Sequence, residues 1–291
     1  MPDVRAKQRP VMMVGMADPR FRTDLYRGTA AYYDRYRLPY PAALIDDLIL
    51  RTSADGTGRL LDLACGTGQA CFALAGWFAE IWAVDQEPDM VGLAAEKASA
   101  LGDTATTGTG RFRFVTCAVE ELSVPEQAFD LVTIGNAFHR LPREAVAAQV
   151  LRWLKPGGYL ALLWGGPPNY GEAPWQQALH DQMQRWQLRA GAEQRVPAGY
   201  EADRAAQPDM DILRATGFEI VGRQEFPVSH VWTAMEIAGY VASTSVLSPA
   251  ALGPDAAAFD VSLRQALLEQ EPGGQFRQDA TFASDLARRP A

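Results

Sequence analysis

Leu60-Leu61-Asp62-Leu63-Ala64-Cys65-Gly66-Thr67-Gly68, with Asp85 further on, decides the fold of this 291-residue chain. An apolar run, residues 59–64, closes on small residues. A helix-like segment follows over 68–78, and a second apolar run over 80–84 leads to the acid. The pattern reads strand, tight glycine loop, helix, strand and carboxylate. That layout suits the ribose and tail of an adenosine cofactor, because the loop turns backbone N–H groups toward a ligand above the sheet edge.

Outward from that stretch the same rhythm continues. Residues 88–100 read as a helix with Pro88 in its first turn, 102–110 as a loop of small residues, and 112–117 and 129–134 as strands. Residues 143–154 read as a helix stopped by Lys155-Pro156-Gly157-Gly158, and 159–164 as a fifth strand. Strand–helix alternation at this spacing predicts a doubly wound parallel sheet of Rossmann-like α/β class. Upstream, residues 1–20 have no periodicity and read as a flexible terminus, while 21–51 read as helical, broken near Pro39-Tyr40-Pro41. Downstream, 165–171 is a loop, 175–190, 209–216, 233–243 and 255–270 are helical, and 218–221 and 226–231 are strand-like. If 280–288 returns as a last, antiparallel strand, the sheet has seven. The expected organisation is a flexible 1–20 and a single domain over 21–291. Its core spans 55–165, and segments 21–51, 165–205 and 233–270 form a helical cap over the carboxyl edge.

Two ligand classes use such a glycine loop. A dinucleotide needs Gly-x-Gly-x-x-Gly/Ala, and Gly66-Thr67-Gly68-Gln69-Ala70-Cys71 places cysteine where close helix–strand packing calls for glycine or alanine. At these residues the chain instead resembles the class I S-adenosylmethionine (SAM)-dependent methyltransferases. Their first motif, acid-x-Gly/Ala-x-Gly-x-Gly, is matched by Asp62 through Gly68, with Ala64 in place of the commoner first glycine. Asp85 matches the acid placed on the ribose hydroxyls, where a carboxylate accepts from a cis-diol. Gln86 and Met90 stand where the family flanks adenine. Cys117-Ala118-Val119-Glu120 matches the segment along the adenine edge, and Phe129 through His139 the fourth strand and its loop. Leu154-Lys155-Pro156-Gly157-Gly158 matches the turn into the fifth strand. Tyr32-Tyr33-Asp34-Arg35-Tyr36-Arg37 resembles the helical lid of the branch that includes trans-aconitate and other small-molecule methyltransferases.

The resemblance implies a SAM cofactor held by Tyr33, Asp62, Ala64, Gly66, Gly68, Asp85, Gln86, Met90, Ala118, Val119, Glu120 and Asn136, and a small-molecule acceptor methylated at oxygen, nitrogen or carbon. Methyl transfer displaces an excellent leaving group, so the protein mainly supplies proximity and orientation. A general base helps only where the acceptor must lose a proton. His139, just after the fourth strand, is the candidate base, since an imidazole titrates near neutral pH. Its alternative is packing at the lid. Arg37, Trp164 and Tyr170 are the candidate acceptor-binding residues, and the other aromatics beyond residue 164 suit either a planar acceptor or an ordinary core. Three rivals stay open: SAM-dependent cyclisation or rearrangement without methylation, a non-catalytic SAM-binding module, and an NAD-dependent oxidoreductase.

Composition narrows the partners. With 27 basic against 35 acidic residues the net charge is −8, and no basic stretch marks a nucleic-acid surface. The cysteines are Cys65, Cys71 and Cys117; an odd count with two in and after the glycine loop argues against a disulfide framework and fits a reducing cytoplasm. No Cys/His spacing suggests a metal, and no run approaches a membrane span. No pattern decides the oligomeric state.

Overall fold

The computed structural model describes residues 24–101, 111–197 and 199–291. The expected flexible 1–20 and the loop at 102–110 lie outside the described residues. Seven strands form one sheet in the order β3-β2-β1-β4-β5-β7-β6. They are β1 (Arg59–Leu63), β2 (Glu80–Asp85), β3 (Arg111–Thr116), β4 (Phe129–Gly135), β5 (Leu154–Trp164), β6 (Glu219–Thr233) and β7 (Gln275–Arg288). β1 pairs in parallel with β2 and β4, β2 with β3 and β4 with β5, while β7 runs antiparallel to both β5 and β6. The Rossmann-like α/β sheet with a reversed last strand is therefore present.

The central strands are apolar because both faces are covered. On one face Leu61, Leu63, Val132, Ile134, Leu160 and Leu162 pack with α5 (Arg143–Trp153) and α8 (Asp209–Thr216). On the other, Leu60, Ile81, Leu131, Ala161 and Leu163 pack with α2 (Ala42–Thr52) and α3 (Gln69–Ala73). α4 (Pro88–Leu101) follows β2. The helix expected over 68–78 is shorter than read: α3 ends at Ala73 and a 3₁₀ turn, Ala75–Trp77, completes the connection.

β6 and β7 depart most from the sequence reading. The two short strands expected near 218–231 are one continuous strand with a register shift between Ile220 and Gly222, and β7 begins five residues before 280. The polar stretch Arg223-Gln224-Glu225 hides the continuity. An edge strand tolerates charge on both sides, so it lacks the apolar run of a central strand. β5 pairs with β7 only up to Trp164 opposite Ala283, so residues 226–233 and 275–282 continue as a two-stranded ribbon past the sheet edge.

That ribbon carries a third core. Trp232 and Phe276 are fully buried against α6 (Pro174–Arg189), α9 (Ala234–Ala242) and α11 (Ala256–Gln270), with Trp175, Leu179, Trp186, Val241, Phe259 and Leu263. Trp232 Nε1–H donates to Gln278 Oε1 at 2.8 Å, and Gln278 Nε2 donates to the carbonyls of Gly166 and Pro167. α1 (Ala30–Tyr36) lies on this layer, with the ring of Tyr36 seated on Gly239 of α9. Arg195 donates to the carbonyls of Asp24, Leu25 and Ser245, joining the segment before α1 to the loop after α9. Among the described residues no helix is long and apolar enough to cross a membrane.

Candidate functional site

β1 and β4 are parallel neighbours whose onward connections diverge to opposite sides of the sheet, which opens a crevice at their carboxyl ends. Both chains leave that edge strained. Ala64 after β1 has φ 51° and Asn136 after β4 has φ 50°, left-handed values uncommon outside glycine and clustered at functional sites. Asn136 is fixed there by Gly165 N–H, which donates to its Oδ1 at 2.9 Å. At Gly68 φ is +87°, and a Cβ would overlap the Phe72 ring, so only glycine lets the loop turn this tightly into α3.

Two carboxylates order the loop. Asp85 Oδ2 accepts the Gly66 N–H at 2.8 Å and Oδ1 accepts the Glu87 N–H at 2.9 Å. Burial raises its pKa, opposed by those backbone donors. Each oxygen retains a lone pair toward the cavity beside it. Asp62 is more deeply placed. Its Oδ1 accepts from Thr133 Oγ1 at 2.7 Å and its Oδ2 from Cys71 N–H at 3.2 Å, so it ties β1 to β4 and to the start of α3. Burial pushes its pKa up to about 7. Lys97 of α4 completes the frame, donating to the Thr67 carbonyl at 3.0 Å and pairing with Asp34 of α1.

The crevice holds two connected spaces. The narrower, about 120 Å³, is walled by Ala64, Gly66, Asp85, Gln86, Glu87, Met90, Val119 and Glu120. The three carboxylates on this wall, Asp85, Glu87 and Glu120, suit a ligand that presents hydroxyls or positive charge, as an adenosine with a sulfonium does. Glu87 Oε1 is buried and without a partner, so the wall offers an acceptor beyond Asp85. The wider space, about 1580 Å³, lies under α1, the 165–209 segment and the loop after α9. Tyr26, Tyr33, Asn136 and Arg140 line both spaces.

His139 borders the wide space. Its Nδ1 is buried with no partner, and its ring lies 6.0 Å from those of Trp164 and Tyr200. Burial, then Arg140, Arg204 and Arg143, pushes its pKa down to about 3. A base that weak is poorly matched to proton abstraction near neutral pH; the geometry favours a neutral imidazole that accepts a hydrogen bond. Arg37 projects from the end of α1 between Tyr33 and Tyr240, with ring centroids at 4.8 and 4.4 Å. Its Nε donates to Ser243 Oγ at 2.8 Å and NH1 to the Tyr240 hydroxyl at 3.1 Å.

The structure brings most of the sequence-named residues together. Tyr33, Ala64, Gly66, Asp85, Gln86, Met90, Val119, Glu120 and Asn136 wall the narrow space, and Arg37, His139, Trp164 and Tyr170 the wide one. Asp62, Gly68 and Ala118 are not on those walls; Asp62 and Gly68 shape the loop from behind. Tyr170 is 68% exposed, at the rim of the wide space. His230 stacks edge-on against Trp232, and His180 bonds with Gln184 of its own helix. Sequence reasoning missed Tyr26, Tyr40, Glu87, Arg140, Tyr200, Arg204 and Phe282, all lining residues. Only Glu87, two residues past Asp85, and Tyr40, between two prolines, carried a local signal.

Residues 60–158 match the family model described as a methyltransferase domain. Over 132 residues the chain is 30% identical to an uncharacterized methyltransferase of Mycobacterium tuberculosis, covering 45% of this chain and 48% of the relative. It is 30% identical over 148 residues to a 2-phytyl-1,4-naphtoquinone methyltransferase of Synechococcus elongatus, covering 49% and 60%. The chain spans about half the length of the curated relatives it matches. Among solved structures, the [4+2]-cyclase SpnF shares the fold with a TM-score of 0.51 and 22% identity, covering 86% of this chain and 82% of that one. The sheet order and strained crevice define a class I Rossmann-like fold. Within that fold, residues 60–158 match a methyltransferase domain.

Proposed function

We propose that residues 21–291 act as one SAM-dependent methyltransferase domain that transfers a methyl group to a small-molecule acceptor in the wide space. The observation that carries this reading is the pair of connected spaces: one narrow and carboxylate-lined beside the glycine loop, one wide and aromatic, sharing a wall at Tyr26, Tyr33, Asn136 and Arg140. A donor in the first and an acceptor in the second meet at that wall.

SAM supplies a methyl on a positively charged sulfur. In this assignment Asp85 accepts from the ribose hydroxyls. Gln86, Met90, Val119 and Glu120 flank the adenine, the Met90 thioether suiting an aromatic face; Ala118 leads into that wall from behind it. The backbone of Ala64, Gly66 and Gly68 lets the donor approach, with Asp62 holding that backbone from behind. Tyr33 and Asn136 stand at the transfer point. His139, with its orphan Nδ1, orients an acceptor hydroxyl or amine as a hydrogen-bond acceptor, and the roof excludes water and fixes the near-attack geometry. Trp164 and Tyr170 supply flat apolar contact. The cyanobacterial relative named a 2-phytyl-1,4-naphtoquinone methyltransferase supports a planar ring acceptor. The domain is expected to act without nucleic acid or membrane, in the cytoplasm.

The test is turnover. The full chain incubated with SAM and candidate phenols, quinols and amines is expected to release S-adenosylhomocysteine (SAH) in step with methylated product. Product formed without SAH release would overturn the reading in favour of a rearrangement or cyclisation.

A further inference from the structure

The wide space has a chemical signature that the family alone does not set. At about 1580 Å³ it exceeds the roughly 300–1,000 Å³ of ordinary small-ligand pockets. Aromatic rings line it on several sides: Tyr33 and Tyr240 under the roof, Trp164 and Tyr200 beside His139, and Tyr40 and Phe282 at the floor. A lining with this many rings fits a flat, multi-ring ligand, which gains area and offset stacking together.

Arg37 is one of three arginines on this wall, with Arg140 and Arg204, and its bonding differs from that of Arg204. It donates three hydrogen bonds to neutral oxygens: Ser243 Oγ, the Ser243 carbonyl and the Tyr240 hydroxyl. Among the described residues no carboxylate pairs with it. Other arginines nearby are matched: Arg143 and Arg204 share Asp209, at 2.7 and 3.4 Å. A guanidinium carries five N–H donors, and among the described residues three of those on Arg37 are matched. A half-buried cation with spare donors and no counter-ion is a receptor for an anion, and the planar fork suits an oxyanion. The tyrosines on either side hold it in place, so little side-chain freedom is lost when an anion docks.

Resting on the methyltransferase reading, we propose that the acceptor is a multi-ring aromatic molecule carrying an anionic group, and that the Arg37 guanidinium between Tyr33 and Tyr240 is the receptor for that charge. The competing anion is the carboxylate of the methyl donor, since Tyr33 also borders the narrow space.

The experiment uses the full chain loaded with SAH and two probes of equal shape, 3-hydroxy-2-naphthoate and its neutral amide 3-hydroxy-2-naphthamide, titrated calorimetrically. Wild type is expected to bind the acid at least tenfold tighter than the amide. Arg37→Gln is expected to abolish that preference, and Arg37→Lys, which keeps the charge without the fork, to retain part of it. SAH affinity is expected to stay within threefold in both variants. Equal binding of the two probes to wild type, or binding of neither, overturns the proposal. So does a tenfold loss of SAH affinity in Arg37→Gln with the acid preference intact, which would give Arg37 to the donor. Because Arg37 also ties α1 to α9, Arg37→Lys carries the comparison if the glutamine variant does not fold: its preference must fall below that of wild type. Failure of wild type to bind SAH at all would instead sink the methyltransferase reading itself.

Discussion

Asp62 in β1 and Asp85 at the end of β2 lie on neighbouring parallel strands and do opposite work. Asp85 faces the narrow space while anchoring Gly66 and Glu87. Asp85→Ala is expected to weaken SAH binding by roughly 10- to 150-fold, the equivalent of about 1.5–3 kcal/mol for hydrogen bonds to a charged group; calorimetry on the folded variant reads it directly. Asp62 is enclosed, with a folded pKa of about 7 against an ordinary carboxylate value in the unfolded chain. Below both values it is protonated in both states and costs nothing. As pH rises toward 7 the unfolded chain ionises first, so the native state loses relative stability, and above 7 the loss is constant. Asp62→Asn keeps an acceptor for Cys71 and a partner for Thr133. Urea unfolding is therefore expected to show the variant gaining on wild type between pH 4 and 7, then a flat difference. The motif marked both acids from sequence, since acid-x-small-x-Gly is local. Which one would face the cavity was not legible: it depends on Thr133, a residue of β4 71 positions away that caps Asp62.

At the scale of elements, the roof depends on how closely α1 meets α9. A Cβ on Gly239 would run into the Tyr36 ring close to its attachment point, so that ring cannot swing aside cheaply. Gly239→Ala is expected to cost about 1–3 kcal/mol, the usual range for overpacking, and to weaken SAH as α1 lifts from the shared wall. Denaturant midpoints and SAH titration check the two effects separately. Periodicity disclosed both helices, because each has an apolar stripe, but it did not pair them. The β6–β7 ribbon was legible only in part, as Arg223-Gln224-Glu225 interrupts the apolar run of β6 and the stretch past the sheet edge mixes polar residues such as Ser229, Arg277 and Gln278 with its buried Trp232 and Phe276. Its length matters because about eight residues per strand, roughly 25 Å at strand rise, carry Trp232 and Phe276 out to the third core. Trp232→Ala is expected to cost about 3–5 kcal/mol and to loosen the roof before the sheet, which hydrogen exchange resolves by region.

For the whole molecule, segments far apart in the chain, Tyr26 and Tyr33 on one side of the α/β core in sequence and Phe282 on the other, line one site. Donor binding should therefore report globally. SAH at a hundred times its Kd is expected to stabilise the protein by about 2.7 kcal/mol, seen as a rise in Tm, whereas NADH is expected to leave Tm unchanged; the reverse result would favour the oxidoreductase. The core was readable from strand–helix alternation because each element there is short and locally patterned. The acceptor space was not, because Tyr26, Tyr200, Arg204 and Phe282 meet only after the chain has folded over itself. Lys97 has one more consequence. The chain has only three lysines, Lys7, Lys97 and Lys155. Lys155 is paired at the far end of β5 with Asp130, while Lys97 bridges the glycine loop and the lid helix. Amine-reactive labelling thus has very few targets on this protein, and one of them joins the glycine loop to α1: acylation of Lys97 removes its charge and with it the pairing to Asp34, so a general surface reagent becomes a probe of how firmly α1 is held there.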